Sequence, residues 1–184
     1  MSTTVAIVIA IVVILVIAAI AAFFYWESRR SKRLQSRFGP EYERTVAEAG
    51  NRREAEARLH KLETRVEKFQ IRPIAPEERA RYLTSWRRVQ ADFVDNPNEA
   101  VSRADELLGA VMSARGYPVS DFEQRSADLS VDHPMVVQNY RAGHDIALRH
   151  QRGEADTEAL RQAMIHYRAL FDELTAEPAR AKAS

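Results

Sequence analysis

Residues 5–26, VAIVIAIVVILVIAAIAAFFYW, form an unbroken apolar run with no ionisable side chain. As a helix, these 22 residues would extend about 33 Å, close to the hydrocarbon thickness of a bilayer. Fourteen of them are Ile, Val, Leu or Phe, each favouring insertion by roughly 0.3–0.6 kcal/mol near the bilayer centre. Their β-branched content would suit a strand in water, but in lipid only a helix satisfies its own backbone. The sequence therefore predicts a transmembrane anchor over 5–26, preceded by a short N-terminus, 1–4. A cleaved signal fits less well. MSTT lacks a basic side chain, and Phe23, Phe24, Tyr25 and Trp26 follow the small-residue match at Ala19–Ala21.

The next segment, 27–37, reads ESRRSKRLQSR, with Arg29, Arg30, Lys32, Arg33 and Arg37 against Glu27 alone. Basic flanks stay on the cytoplasmic side. This predicts an inner-membrane, single-pass protein with its N-terminus outside and its body in the cytoplasm, the extracytoplasmic body being the alternative. The same five cations are candidate contacts to anionic lipid.

Beyond the anchor the chain is rich in charge and lacks period-2 strand patterning, so an all-α fold is expected. A short helix opens near Pro40 and stops at Gly50. In 51–69, Ala55, Leu59, Leu62, Val66 and Phe69 follow heptad spacing. Residues 38–70 are therefore expected to form a helical stalk, with Leu59, Leu62, Val66 and Phe69 as candidate self-association positions for a homo-oligomer. Pro73 and Pro76 mark a linker at 71–76.

Residues 76–175 carry apolar stripes on successive helices joined by short connectors, the pattern of an antiparallel bundle. One helix runs from Pro76 to about Val94, and the next from Pro97 to a left-handed stop at Gly116. Others run from about His133 to Gln151 and from Asp156 or Thr157 to about Leu174. The expected large core residues are Trp86, Phe93, Tyr140, Tyr167 and Phe171. The tail, 176–184, is expected to fray.

The stretch RGYPVSDFEQRSADLSVDH, 115–133, concentrates acids, serines and a histidine between aromatics. Most of these have helix-terminus roles to fill. Ser120 and Glu123 have capping-box spacing, Asp132 precedes His133-Pro134 as an N-cap, and Asp128 is placed facing water. The surface around Tyr117, Phe122, Asp128 and Asp132 is the candidate partner-docking face.

Metal clamps and phosphate loops are missing from the sequence. The five histidines never pair at i+3 or i+4, there is no cysteine, and no Walker, GxGxxG, HExxH or GxSxG motif occurs. No cofactor is expected. Removing the five basic residues and one acid of 27–37 leaves 22 basic against 25 acidic residues, or −3, a poor match to nucleic acid. The reading is a membrane-anchored, non-enzymatic adaptor or scaffold that meets the lipid bilayer and a protein partner. Two alternatives are a bundle enzyme using Asp128, Asp132, His133 or His144, and a surface protein that binds anionic lipid.

SRFGPEYERTV, RGYPVSDFEQRSADLSVDHP, VVQNYRAGHDIA and LRQAMIHYRALFDEL together resemble a widespread family of uncharacterised bacterial single-pass, membrane-anchored helical proteins. The likeness covers most of residues 34–174. It implies a bacterial source and proteins described as hypothetical, membrane or secreted. No activity or catalytic residue is assigned to that family, and none is carried over.

Overall fold

The computed structural model describes residues 3–176, with side chains from Ile11 onward except those of Phe23, Phe24 and Glu27. The expectations for 1–4 and for the 176–184 tail therefore fall almost wholly outside the described residues. Eight helices and no strand occur among them: α1 Thr3–Phe38, α2 Pro40–Ala49, α3 Arg52–Val66, α4 Pro76–Asp92, α5 Pro97–Arg115, α6 Phe122–Asp132, α7 Val137–Gln151 and α8 Thr157–Thr175. The chain is all-α, as the patterning predicts.

Helix α1 is continuous for 36 residues. The basic segment 27–37 is thus the end of the helix that carries the apolar run, because no Gly or Pro interrupts it before Gly39-Pro40. Along 11–22 every side chain is exposed. Among the described residues no helix is long and apolar enough to cross a membrane, and 11–22 covers only part of a bilayer's thickness. Further along, Ser31, Leu34 and Phe38 are buried at helical spacing, and this end of α1 packs on α2.

The chain divides into two compact units between Ala57 and Arg58, within α3. In the first, the Glu56 carboxylate accepts hydrogen bonds from the Ser31 hydroxyl, from Tyr42 Oη at 2.9 Å and from Arg52 Nε at 3.0 Å. Burial raises its pKa, but these donors outweigh burial and hold it below the usual carboxylate range. Gly50 closes α2 in the left-handed conformation at φ 71°.

In the second unit α7 and α8 share the most extensive contact, followed by α5 with α8 and α4 with α5. Five residues separate α7 from α8 and four separate α4 from α5, so each pair must reverse direction. The core gathers Leu108, Leu129, Tyr140, Tyr167, Leu170 and Phe171 with almost no exposure. Trp86 stacks on Phe171 with ring centroids 4.7 Å apart. Phe93, expected among the large core residues, is only half-buried, because α4 stops at Asp92 and Phe93 is its C-cap.

The break at 71–76 is real in the backbone but does not bound the packed unit. Phe69, Ile71 and Ile74 lie against the bundle core, and Arg72 N–H donates to Arg115 O at 2.8 Å. The last part of α3 thus belongs with the bundle. Gly116 ends α5 at φ 100°, and a Cβ there would sit 2.3 Å from Gln70 O. The far end of the bundle is closed by two arginines. Arg79 Nε donates to Thr175 O at 2.6 Å and an Arg115 guanidinium nitrogen to Leu174 O at 3.0 Å, satisfying carbonyls at the end of α8.

Candidate functional site

The joint between α5 and α7 keeps its expected helix-terminus character but assigns the tasks differently. Asp121, not Ser120, caps α6, accepting Gln124 N–H at 2.9 Å. Asp132 does not cap α7, whose N-cap Val136 has no side-chain bond. It accepts instead from Tyr117 Oη at 2.9 Å. Burial, followed by the Asp132 charge and its hydrogen bond, pushes the Tyr117 phenol well above its ordinary value.

Asp128 does not face water. Its side chain is 1% exposed and bonds Arg65 Nε at 3.0 Å and Gln124 Nε2 at 2.8 Å. Sequence periodicity missed this because the partner lies 63 positions upstream, on a helix expected to be a separate stalk. His133 Nδ1 lies 3.1 Å from Glu173 Oε1, and the His144 ring stacks on Phe122 with centroids 3.5 Å apart. Asp128, Asp132, His133 and His144 therefore each have a different partner. Among the described residues no group of three or more His, Asp or Glu could hold a metal ion.

Of the four residues expected on a docking face, Tyr117 and Asp128 are buried and Phe122 is half-buried. Phe122 packs on Tyr140 and His144. Asp132, the fourth, is exposed.

A polar cluster crosses the bundle beside it. Arg125 approaches Asp105 at 3.4 Å and lies 5.9 Å from the Tyr140 ring centroid. Tyr140 and Tyr167 are fully buried 5.9 Å apart, and burial, with the Asp105 carboxylate adding to it, pushes both phenols far above the ordinary value. Burial lowers the His144 pKa. Two glycines make room for the cluster. A Cβ at Gly109 would meet an Arg125 guanidinium nitrogen at 2.8 Å, and one at Gly143 would meet the Tyr167 ring at 2.6 Å. Both rings belong to the packed core of the bundle.

The open surface lies on α3. Arg58, Lys61, Arg65 and Lys68 border a groove of about 760 Å³ whose floor carries Leu62 and Phe69, with Gln124 at its edge. At 100° per residue Arg58, Lys61 and Arg65 fall within about 60° of arc on α3, with Glu63 on the far side, and Lys68 follows in the turn after Val66. Lys61 and Lys68 are exposed and make no ion pair with a described residue. The Arg65 guanidinium covers the Phe69 ring at 5.4 Å, and Phe69 meets Tyr117 edge-on at 6.5 Å. Of the four heptad positions, Leu59 and Val66 are buried within the single chain, leaving Leu62 and Phe69 half-exposed in this groove. The heptad pattern located the helix face, and the cations beside it complete the groove.

Arg29, Arg30, Lys32 and Arg33 are exposed along α1, and Arg37 is half-buried with a partner of its own. Arg29 lies over the Tyr25 ring at 4.8 Å.

No family model, curated protein or solved structure matches the chain.

Proposed function

We propose that this protein is a non-enzymatic, single-pass membrane adaptor: residues 5–26 anchor it, the cations of 27–37 seat it on anionic lipid, and the helical bundle presents a docking face. The observation that carries the reading is the state of α1. A continuous helix displays Ile14, Leu15 and Ile17 at 60–65% exposure in a stretch without one charge. An isolated helix with apolar residues all round is unstable in water and is at home in lipid. The basic end supports a cytoplasmic body, with the extracytoplasmic body as the alternative. The resemblance to bacterial membrane-anchored proteins supports an inner-membrane setting.

The adaptor part of the reading rests on the commitments of the reactive side chains. The acids and histidines of 117–144 hold helices together, whereas the α3 groove is open.

The test is fractionation of cells expressing the full chain, followed by carbonate extraction. The chain is expected to stay in the membrane pellet, and one lacking residues 1–26 is expected in the supernatant. Recovery of the full chain in the supernatant overturns the anchor. Neutralising Arg29, Arg30, Lys32 and Arg33 together is expected to weaken flotation with anionic liposomes while leaving carbonate resistance intact.

A further inference from the structure

We propose that the α3 groove receives an acidic amphipathic helix of a partner protein, its carboxylates meeting Lys61 and Lys68 and its apolar stripe lying on Leu62 and Phe69. The proposal rests on the adaptor reading and names its partner class.

The chemistry of the lining selects the occupant. A cationic border alone would suit any anion. Here the border flanks an apolar floor, and the floor residues are held: Phe69 lies between the Arg65 guanidinium and the Tyr117 ring. Arg65 is fixed in turn by the buried Asp128. The groove wall is therefore set before a partner arrives, which lowers the ordering cost of binding. Arg58, Lys61 and Arg65 span about 10 Å along α3, roughly two helical turns, and Lys68 extends the row into the turn after Val66. A small anion would engage one end of that row. A helix with apolar residues at i, i+3 and i+7 and acids beside them would match both the length and the two-part chemistry. The surplus charge is available because Lys61 and Lys68 make no ion pair with a described residue.

The experiment uses the full chain in zwitterionic nanodiscs and a labelled synthetic helix of Glu and Leu with its Leu residues on one face. A second peptide of the same composition has its Leu residues scattered around the helix. The one-faced peptide is expected to bind, with affinity falling as salt rises. K61E/K68E is expected to weaken it at least tenfold, and Leu62→Asn severalfold. Both sites are solvent-accessible, and unchanged circular dichroism of each variant confirms the fold. Absence of binding, equal binding of the scattered peptide, or equal binding by K61E/K68E overturns the proposal. So does preferential, Lys61- and Lys68-dependent binding of single-stranded RNA or of phosphatidylglycerol vesicles. Membrane fractionation reads the anchor separately, so either reading can fail alone.

Discussion

Arg65 on α3 and Asp128 on α6 form an ion pair at 3.0 Å in which the carboxylate is buried and the guanidinium is 43% exposed. The pair is asymmetric, and so are the consequences of breaking it. Arg65→Ala leaves a buried carboxylate with Gln124 as its remaining side-chain donor, and is expected to cost on the order of 3 kcal/mol. Asp128→Asn releases an arginine that water can solvate and keeps an acceptor for Gln124. It is expected to cost about 1 kcal/mol. Urea unfolding of the two variants checks the order.

Gly116 and Gly50 both occupy left-handed backbone, yet only Gly116 is also crowded. Gly50→Ala meets nothing within 4 Å and is expected to cost about 1 kcal/mol. Gly116→Ala must in addition push back the backbone at Gln70, and is expected to cost at least about 3 kcal/mol. Thermal unfolding measures both variants, and hydrogen exchange at the Arg72 amide, bonded to Arg115 O, should rise in Gly116→Ala alone.

Gly143 sits inside α7, where alanine would ordinarily add up to about 1 kcal/mol of helix stability. Here the Tyr167 ring occupies the space a methyl would need, so Gly143→Ala is expected to destabilise by about 1–3 kcal/mol. Pairing it with Tyr167→Leu should recover part of that loss in a double-mutant cycle.

The depressed pKa of Glu56 has a definite sign. A carboxyl held below its unfolded value contributes stability above that value and loses it as pH falls through the folded one. Glu56→Gln is expected to cost about 2 kcal/mol at pH 7 and to flatten the response of α2 amide exchange to acid below about pH 4.5. An unchanged acid response would show that the three donors do not favour the ionised form.

His144 acts in a higher window. Burial lowers its folded pKa; Arg125 opposes its protonation, while Asp105, Glu123 and Asp145 favour it. Its stability contribution is complete above the unfolded value of about 6.5 and declines as pH falls through it. Melting temperatures at pH 7.5 and 5.5 should therefore differ more for the native chain than for His144→Phe.

The helices were legible in the sequence because their punctuation is local. Pro40, Pro76 and Pro97 open helices, Gly50 and Gly116 close them, and the stripes from Trp86 to Phe171 follow helical spacing. Less legible were the choices between near-equivalent polar groups. Ser120 and Asp121 are adjacent cap candidates, and only the backbone decides that Asp121 meets the Gln124 amide. Asp128 appeared solvated because sequence spacing carries no information about Arg65, which reaches it from a helix beyond two prolines. The open groove was half legible. The heptad residues marked its floor, but its border emerged only once Leu59 and Val66 proved to be covered within the chain.

The bonds from Arg79 and Arg115 to the last carbonyls of α8 place the opening turn of α4 beside the final residue of the bundle. The fold is therefore closed like a ring with a clasp. A short peptide bridging these two points could replace the existing connection, and the polypeptide could be cut afresh at the turn between α7 and α8. Such a circular permutant would keep the contacts among α4, α5, α7 and α8, would detach Phe69, Ile71 and Ile74 from the core they pack against, and would move the covalent ends of the bundle to its opposite pole.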